Sequence, residues 1–304
     1  MRKLINTKCR DSVKNNIKDT NSVLKTRIDK KIKISNIDST IKYINNKQKK
    51  AKESNYKYLE DELTLANISI LCLSNLSLSV HTEKFDEEIF PRNWLSESSL
   101  PNPNFILSNL LLQLTNYSMS IIDLLEKGLD NPARALLRTT SELSEQIIIL
   151  IHSRNDFKEY VKGHDEAAST KIWYELFSKN KIRNKLSSIE EQIGLDDKLI
   201  EYMKNYRKES NEFFSQAVHH SYIAVNVGAC AWEYNSDGYI NGLFGGENSA
   251  IETTLGHLNT TLWFFLISFF RKVVKPKNPK ELLWIEAFLL QQSVQSLYMD
   301  IYFK

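Results

Sequence analysis

Nine glycines and six prolines punctuate the 304 residues of this chain, and that scarcity of backbone breakers constrains its fold more than any other feature. Sandwiches, barrels and doubly wound sheets carry a turn signal every ~8–12 residues. Here long apolar segments run between breakers, so helices are the expected element and an all-α, multi-helix bundle-like core is the expected fold class. With 42% hydrophobic residues, the chain can bury a sizeable core, as one large domain or two modest ones.

The formal net charge of +3 conceals a segregation. Residues 1–57 hold 17 Lys and Arg against 5 Asp and Glu, a net of +12, and the remainder holds 23 against 32, a net of −9. This division predicts a basic N-terminal arm over residues 1–57 and a helical core domain over 58–304. The arm lacks Trp and Phe and spaces its aliphatics at Ile28, Ile32, Ile34, Ile37, Ile41 and Ile44. It reads as a weakly amphipathic helix or a disordered basic tail, partial helix being the expectation. Such an arm can neutralise phosphates of RNA or DNA, meet an anionic membrane surface, or lie across its own acidic core. No aromatic interleaves its lysines before Tyr43, which argues against a single-strand stacking platform.

Cys9, Cys72 and Cys230 are far apart and form no CxxC or Cys/His cluster, so neither a metal site nor a disulfide framework is indicated, and no cofactor motif is evident. A reducing cytoplasm fits this cysteine usage, and the polar N-terminus lacks the apolar centre of a secretory signal. The apolar stretches 63–80, interrupted by Asn67, Asn75 and several serines, and 262–270 fall short of the roughly 20 residues a span needs. Both are expected to be buried core helices, with no integral membrane association.

Within the core, a first helix is expected over 59–80, a Pro-interrupted loop over 91–104, and a second helix over 105–127 capped near Gly128. Asn131 followed by Pro132 predicts a helix start, with Asn131 as the cap. At 100° per residue, Leu136, Leu143, Ile147 and Leu150 of this third helix share one face, and Arg134, Arg138, Glu142 and Glu145 share another. Arg138 precedes Glu142 by four residues, the less favourable orientation for helix stability. After an exposed section over 179–197, a helix is expected over 198–227, with Leu199, Met203, Tyr206, Phe213, Phe214, Ala217 and Val225 on its apolar face. Arg207 and Ser210 project close to that face, so Arg207 needs a carboxylate, Glu142 or Glu145, or a polar cleft. His219 points away from the face and His220 lies on its flank, about 100° apart. Residues 238–246 form a glycine-rich surface loop or short hairpin without a phosphate-loop pattern, and apolar helices over 251–274 and 279–302 close the core.

The run from Ala133 to Glu142, together with Tyr206 to Ser210 and Val218 to His220, resembles the bacterial DUF5677 family over residues 120–225. The likeness rests on an Arg-x-x-x-Glu helix, matched by Arg138 and Glu142, and a later Ser/His helix, matched by Ser210 or Ser215 with His219. It implies an α-helical fold and a bacterial or mobile-element setting. The Arg, Glu and His content is also similar to HEPN-type proteins, many of them metal-independent ribonucleases of toxin and antiviral systems. The chain departs from their spacing of four to six residues between Arg and His: nine separate Arg154 from His164, and eleven separate Arg207 from His219.

Two functions are therefore expected to compete. In one, the protein is a metal-independent ribonuclease effector. His219 or His220 is its acid/base, Arg138 and Arg207 stabilise phosphate charge, Glu142 orients a partner, and the arm gathers RNA. This predicts one cleft containing those side chains. In the other, the chain is a non-catalytic helical module for a protein partner and the Arg/Glu face is a salt-bridge network between helices.

Overall fold

The computed structural model describes residues 7–27, 37–82, 102–163, 165–219, 221–228, 230–234, 239–242, 244–273 and 282–303. Among the described residues the fold is all-α apart from one two-stranded ladder. Its helices are α1 (Thr7–Arg27), α2 (Ile37–Tyr58), α3 (Glu60–Thr82), α4 (Pro103–Glu126), α5 (Asp130–His152), α6 (Arg154–Tyr160), α7 (Glu166–Phe177), α8 (Lys179–Gln192), α9 (Asp197–Val218), α10 (Tyr222–Gly228), α11 (Ile251–Val273) and α12 (Leu282–Tyr302). Strands β1 (Cys230–Trp232) and β2 (Tyr239–Asn241) pair antiparallel.

Helix α3 is the axis of the bundle, flanked by α4, α12 and α11. Its contacts are made by small residues that let backbones approach. Ser77 and Ser108 each donate to the other's carbonyl at 3.0 Å, and the Cys72 thiol donates to the Ala287 carbonyl at 3.2 Å. With Cys72 at Ala287 and Asn259 of α11 bonded to both the Glu62 carbonyl and the Tyr302 hydroxyl, α12 runs antiparallel to α3; with Ser77 at Ser108 and Asn55 bonded to the Leu125 carbonyl, so does α4. Helix α11 is apolar nearly all round, with Leu255, Leu258, Leu262, Phe265, Leu266 and Phe269 fully buried, as expected for a helix packed on several sides. Residues 60–80 and 103–126 are long and apolar enough to cross a membrane by length and composition, a longer reach than the 63–80 stretch alone has. In this fold 67% of the first window and 50% of the second is buried.

Several local expectations shift by a residue or a partner. The third helix begins at Asp130 rather than after an Asn131 cap. The Asp130 carboxylate is instead held in the interior by Arg134 at 2.7 Å and by the Thr254 hydroxyl. Asn102 caps α4 by accepting from the Asn104 N–H, and Pro103 takes the first turn, so the end of the predicted 91–104 loop is helical; residues 91–101 lie outside the described residues. The long helix expected over 198–227 is two, α9 and α10, broken at His219, which is the C-cap of α9. The section 179–197, expected to be exposed, holds helix α8, whose Ile182, Leu186 and Ile189 are buried at 4,3 spacing.

Gly128 stands at the C-terminus of α4 with φ of +72°. The Gly128 N–H donates to the Leu125 carbonyl and the Leu129 N–H to the Leu124 carbonyl, the Schellman pairing. The left-over Lys127 carbonyl accepts from the Gly246 N–H at 3.0 Å. Residues 245 and 246 are therefore buried against this cap rather than forming a surface loop, and residues 239–241 pair with 230–232 rather than within the glycine-rich run.

The basic arm carries helices α1 and α2, and the end of α2 docks on the core. Asn55 is fully buried and donates to the Leu125 carbonyl at 2.9 Å, and Lys52 pairs with Glu126 at 2.6 Å. The Leu59 N–H still reaches the Asn55 carbonyl and the Leu63 N–H the Leu59 carbonyl, so α2 runs into α3 with only a bend between them.

Candidate functional site

The charged stripe of α5 meets the C-terminal end of α9. The Arg138 Nε donates to Glu142 Oε1 at 3.0 Å, and its Nη1 lies 3.5 Å from His219 Nε2, across 81 residues of sequence. Both members of the Arg138–Glu142 pair are about one-third exposed, and His219 is exposed. The position of His219 follows from the end of α9: its N–H closes the last turn on the Ser215 carbonyl, and the Ser221 N–H turns back to the Gln216 carbonyl. His220 lies outside the described residues.

Beside this cluster is a cavity of about 110 Å³ lined by Arg138, Glu142, Glu145, Trp173, Arg183 and Arg207, among others. A single water needs roughly 10–15 Å³ on the same measure, so the space admits a small group. Four of the six named residues come from α5 and α9, and Trp173 and Arg183 come from α7 and α8. Trp173 is 40% exposed, leaving an indole face at the rim. Arg138, Glu142 and Arg207 thus share one cavity, with His219 touching Arg138.

Arg207 differs in state from Arg138. It occupies one position of the buried seam of α9, Met203, Arg207, Ser210, Phe214 and Ala217, and its guanidinium forms a two-pronged pair with Glu190 of α8 at 2.5 and 3.1 Å. Both side chains are nearly inaccessible, at 6% and 1%. The carboxylate that Arg207 needs comes from Glu190 rather than Glu142 or Glu145. Glu145 still faces the pair: burial raises its pKa to about 7, opposed by Arg207 and Arg183 and reinforced by Glu142 and Glu190. A carboxyl with that pKa can hold or release a proton near neutrality.

A second polar cluster lies between α5, α9 and α11. Arg134 donates to Thr254 at 3.1 Å and stacks over the Phe213 ring at 4.2 Å. Ser210 Oγ lies 3.3 Å from His257 Nδ1, whose ring packs on Phe213 with centroids 4.8 Å apart. The Tyr206 hydroxyl donates to the His257 carbonyl at 2.8 Å. Burial, with Arg134 nearby, lowers the His257 pKa to about 4. Ser210 is 2% exposed, and this cluster ties three helices together.

Sequence reasoning did not single out Glu190, Arg183, Trp173 or His257. The buried spacing of Ile182, Leu186 and Ile189 was the available signal for Glu190, because it places the next residue beside an apolar seam. His257 had no signal, standing within a helix otherwise read as core. Among the described residues no three His, Cys, Asp or Glu side chains group as metal ligands. No family model matches the sequence, and neither the curated proteins nor the solved structures contain a match to it.

Proposed function

We propose that the protein is a metal-independent ribonuclease effector that cleaves RNA at the cavity between α5 and α9. The observation that carries this reading is the approach of His219 Nε2 to Arg138 Nη1, 3.5 Å apart and supplied by helices distant in sequence. In this chemistry a base takes the proton of the ribose 2′-hydroxyl. The freed oxygen attacks the adjacent phosphorus, and the P–O5′ bond breaks to leave a 2′,3′-cyclic phosphate and a 5′-hydroxyl. His219 is the proton carrier. Arg138, aligned by Glu142, meets the charge that builds on the phosphate oxygens. Arg207, saturated by Glu190, acts on this site by fixing its floor and by its field on Glu145.

The reading is further supported by the exposed Trp173 at the rim, since an indole face stacks any base, and by the net positive arm, which attracts a polyanion. The resemblance to DUF5677 and, more loosely, to HEPN-type proteins is in keeping with an effector of a bacterial toxin or antiviral defence system acting in the cytoplasm. One observation favours the competing module: the Arg207–Glu190 pair is the buried, interhelical salt bridge that reading requires.

The test is growth of a bacterial host expressing wild type, Arg138→Ala or His219→Ala, with total RNA on a gel and folding checked by circular dichroism. Toxicity with RNA fragmentation in the wild type, lost in both folded variants, is the expected result. Fragmentation that persists in both variants removes this site from the reaction, and intact RNA at benign wild-type expression moves the weight to the module.

A further inference from the structure

Three adjacent helices leave a face of the bundle that is almost free of charge. Residues 63–80 of α3, 103–122 of α4 and 287–299 of α12 contain no Asp, Glu, Lys or Arg. Glu286 stands at the edge of this region and accepts from the Asn75 amide of α3 at 3.3 Å. Yet each helix turns large apolar side chains outward: Leu71 and Leu78, Phe105, Leu112 and Met119, and Leu282 and Leu289 are between 49% and 69% exposed. Within each helix these residues recur every seven positions, the spacing of a contact seam. On α4 the exposed Asn109 and Asn116 fall between them and complete a 4,3,4,3 pattern.

The register of the bundle brings the three seams together. Ser77 pairs with Ser108, and Cys72 with Ala287. In antiparallel helices this puts Leu78 level with Phe105 and Leu282, and Leu71 level with Leu112 and Leu289. Because α3 lies between α4 and α12, and α11 packs against all three from the interior, the outward rows fall side by side on the opposite face, with α3 in the middle. Over the uncharged stretches, three helices spaced 8–10 Å apart give a face of roughly 600–700 Å², close to the ~800 Å² that each partner contributes to a standard interface. Within it the outward apolar rows run about 21 Å along α4 and about 10 Å along α3 and α12, and a contiguous apolar area on a folded monomer marks an interaction site.

We infer that the α4–α3–α12 face is the surface through which two copies of this chain form a symmetric dimer. A second copy is the partner that matches it. Among the described residues of this face a charged partner finds only the Glu286 carboxylate, already engaged by Asn75, whereas the same nearly uncharged face on a second molecule gives up little ionic hydration on contact. Asn109 and Asn116 each carry both donors and an acceptor, so across a two-fold axis that runs perpendicular to α4 level with Leu112, Asn109 of one copy can bond Asn116 of the other. A bilayer would strand those amides without partners, which sets lipid below self-association.

The test uses the full chain in light scattering coupled to gel filtration, with wild type expected at twice its 35.3 kDa mass. The Leu71→Glu/Leu112→Glu variant changes two half-exposed positions and should run as a folded monomer by circular dichroism. As a check that does not depend on charge insertion, Leu71→Cys, at the centre of the patch, should form a disulfide-linked dimer on mild oxidation where wild type does not. A monomeric wild type, or a dimer that survives in the folded double variant, overturns the proposal. So does a wild type that floats with phosphatidylcholine/phosphatidylglycerol vesicles as a monomer, which would assign the face to lipid.

Discussion

Glu190 clasps the Arg207 guanidinium with both carboxylate oxygens beneath the cavity that Arg138 and Glu142 enter from the rim. Two arginines that look alike in sequence therefore have different duties. Arg207 is spent on an interior carboxylate, and Arg138 keeps one edge toward His219 and the cavity. The distinction follows from position. Arg207 interrupts a 4,3,4,3 buried seam, where an unpaired charge is costly, whereas Arg138 sits on the opposite, partly wet stripe of α5.

Removing one half of the buried pair leaves the other charged and unsolvated. Glu190→Gln should lower unfolding free energy by about 3–5 kcal/mol, and Arg207→Met in the Glu190→Leu background should recover most of it. Urea unfolding followed by circular dichroism measures both. An additive loss in the double variant would show that the two side chains do not act as a pair.

Glu145 ties stability to pH in the direction opposite to that of a salt-bridged carboxylate. Its folded pKa, about 7, is raised above the usual value of 4.5, so the folded state binds the extra proton between those values. The associated stability is complete below pH 4.5 and is lost as pH rises through 7. Glu145→Gln should thus leave the melting temperature nearly unchanged at pH 4 and raise it at pH 8. Equal shifts at both pH values would mean the side chain matters through packing rather than ionisation.

Much of this architecture is legible from residue order alone, because long apolar runs separated by the Pro-containing 91–104 stretch and by Gly128 leave few alternatives to helices, whereas the break at His219 falls inside a run that reads as one helix over 198–227. The site is half legible. Arg138 and Glu142 stand out by their i, i+4 spacing and His219 by its chemistry, but their convergence depends on how α9 crosses α5, which no local pattern encodes. Glu190 was hidden by the polar surroundings of α8, where Lys179, Lys181, Arg183 and Lys185 outweigh the buried Ile182, Leu186 and Ile189 in any average of hydropathy. The Asp130 case is similar: a capping signal at Asn131 is sound local chemistry, and it lost to a tertiary partner, Thr254, 124 residues away.

His257 and His152 should make the fold acid-sensitive. Burial lowers both to about 4 from 6.5, with Arg134 adding to the effect on His257 and Lys272 on His152. The unfolded chain takes up these protons first, so the stability present above pH 6.5 falls as pH drops toward 4. At ~1.4 kcal/mol per pKa unit, each contributes on the order of 3 kcal/mol to that loss. Melting temperatures from pH 7.5 to 4.5 should decline steeply in wild type and less so in His257→Gln. An unchanged slope in the variant would show that His257 stays protonated in the fold or unprotonated in both states.

The joint between α4 and the segment after β2 depends on a close backbone approach. A Cβ on Gly128 would meet the Gly246 carbonyl oxygen at 1.7 Å, and the backbone there has φ of +72°. Gly128→Ala therefore brings both a left-handed strain of ~1–2 kcal/mol and a backbone collision that only separation of the two segments relieves. That separation breaks the Gly246 to Lys127 hydrogen bond and frees the loop that also receives Gln48 of α2 at the Phe244 carbonyl. The expected outcome is a loss of at least ~2 kcal/mol, with faster hydrogen exchange at Gly246 and along the end of α2 than along α5. Gly194→Ala is the control, since φ there is +70° with open space around the added carbon. It should show the strain alone, and a Gly128 variant no worse than the Gly194 one would mean that the two segments do not touch in solution.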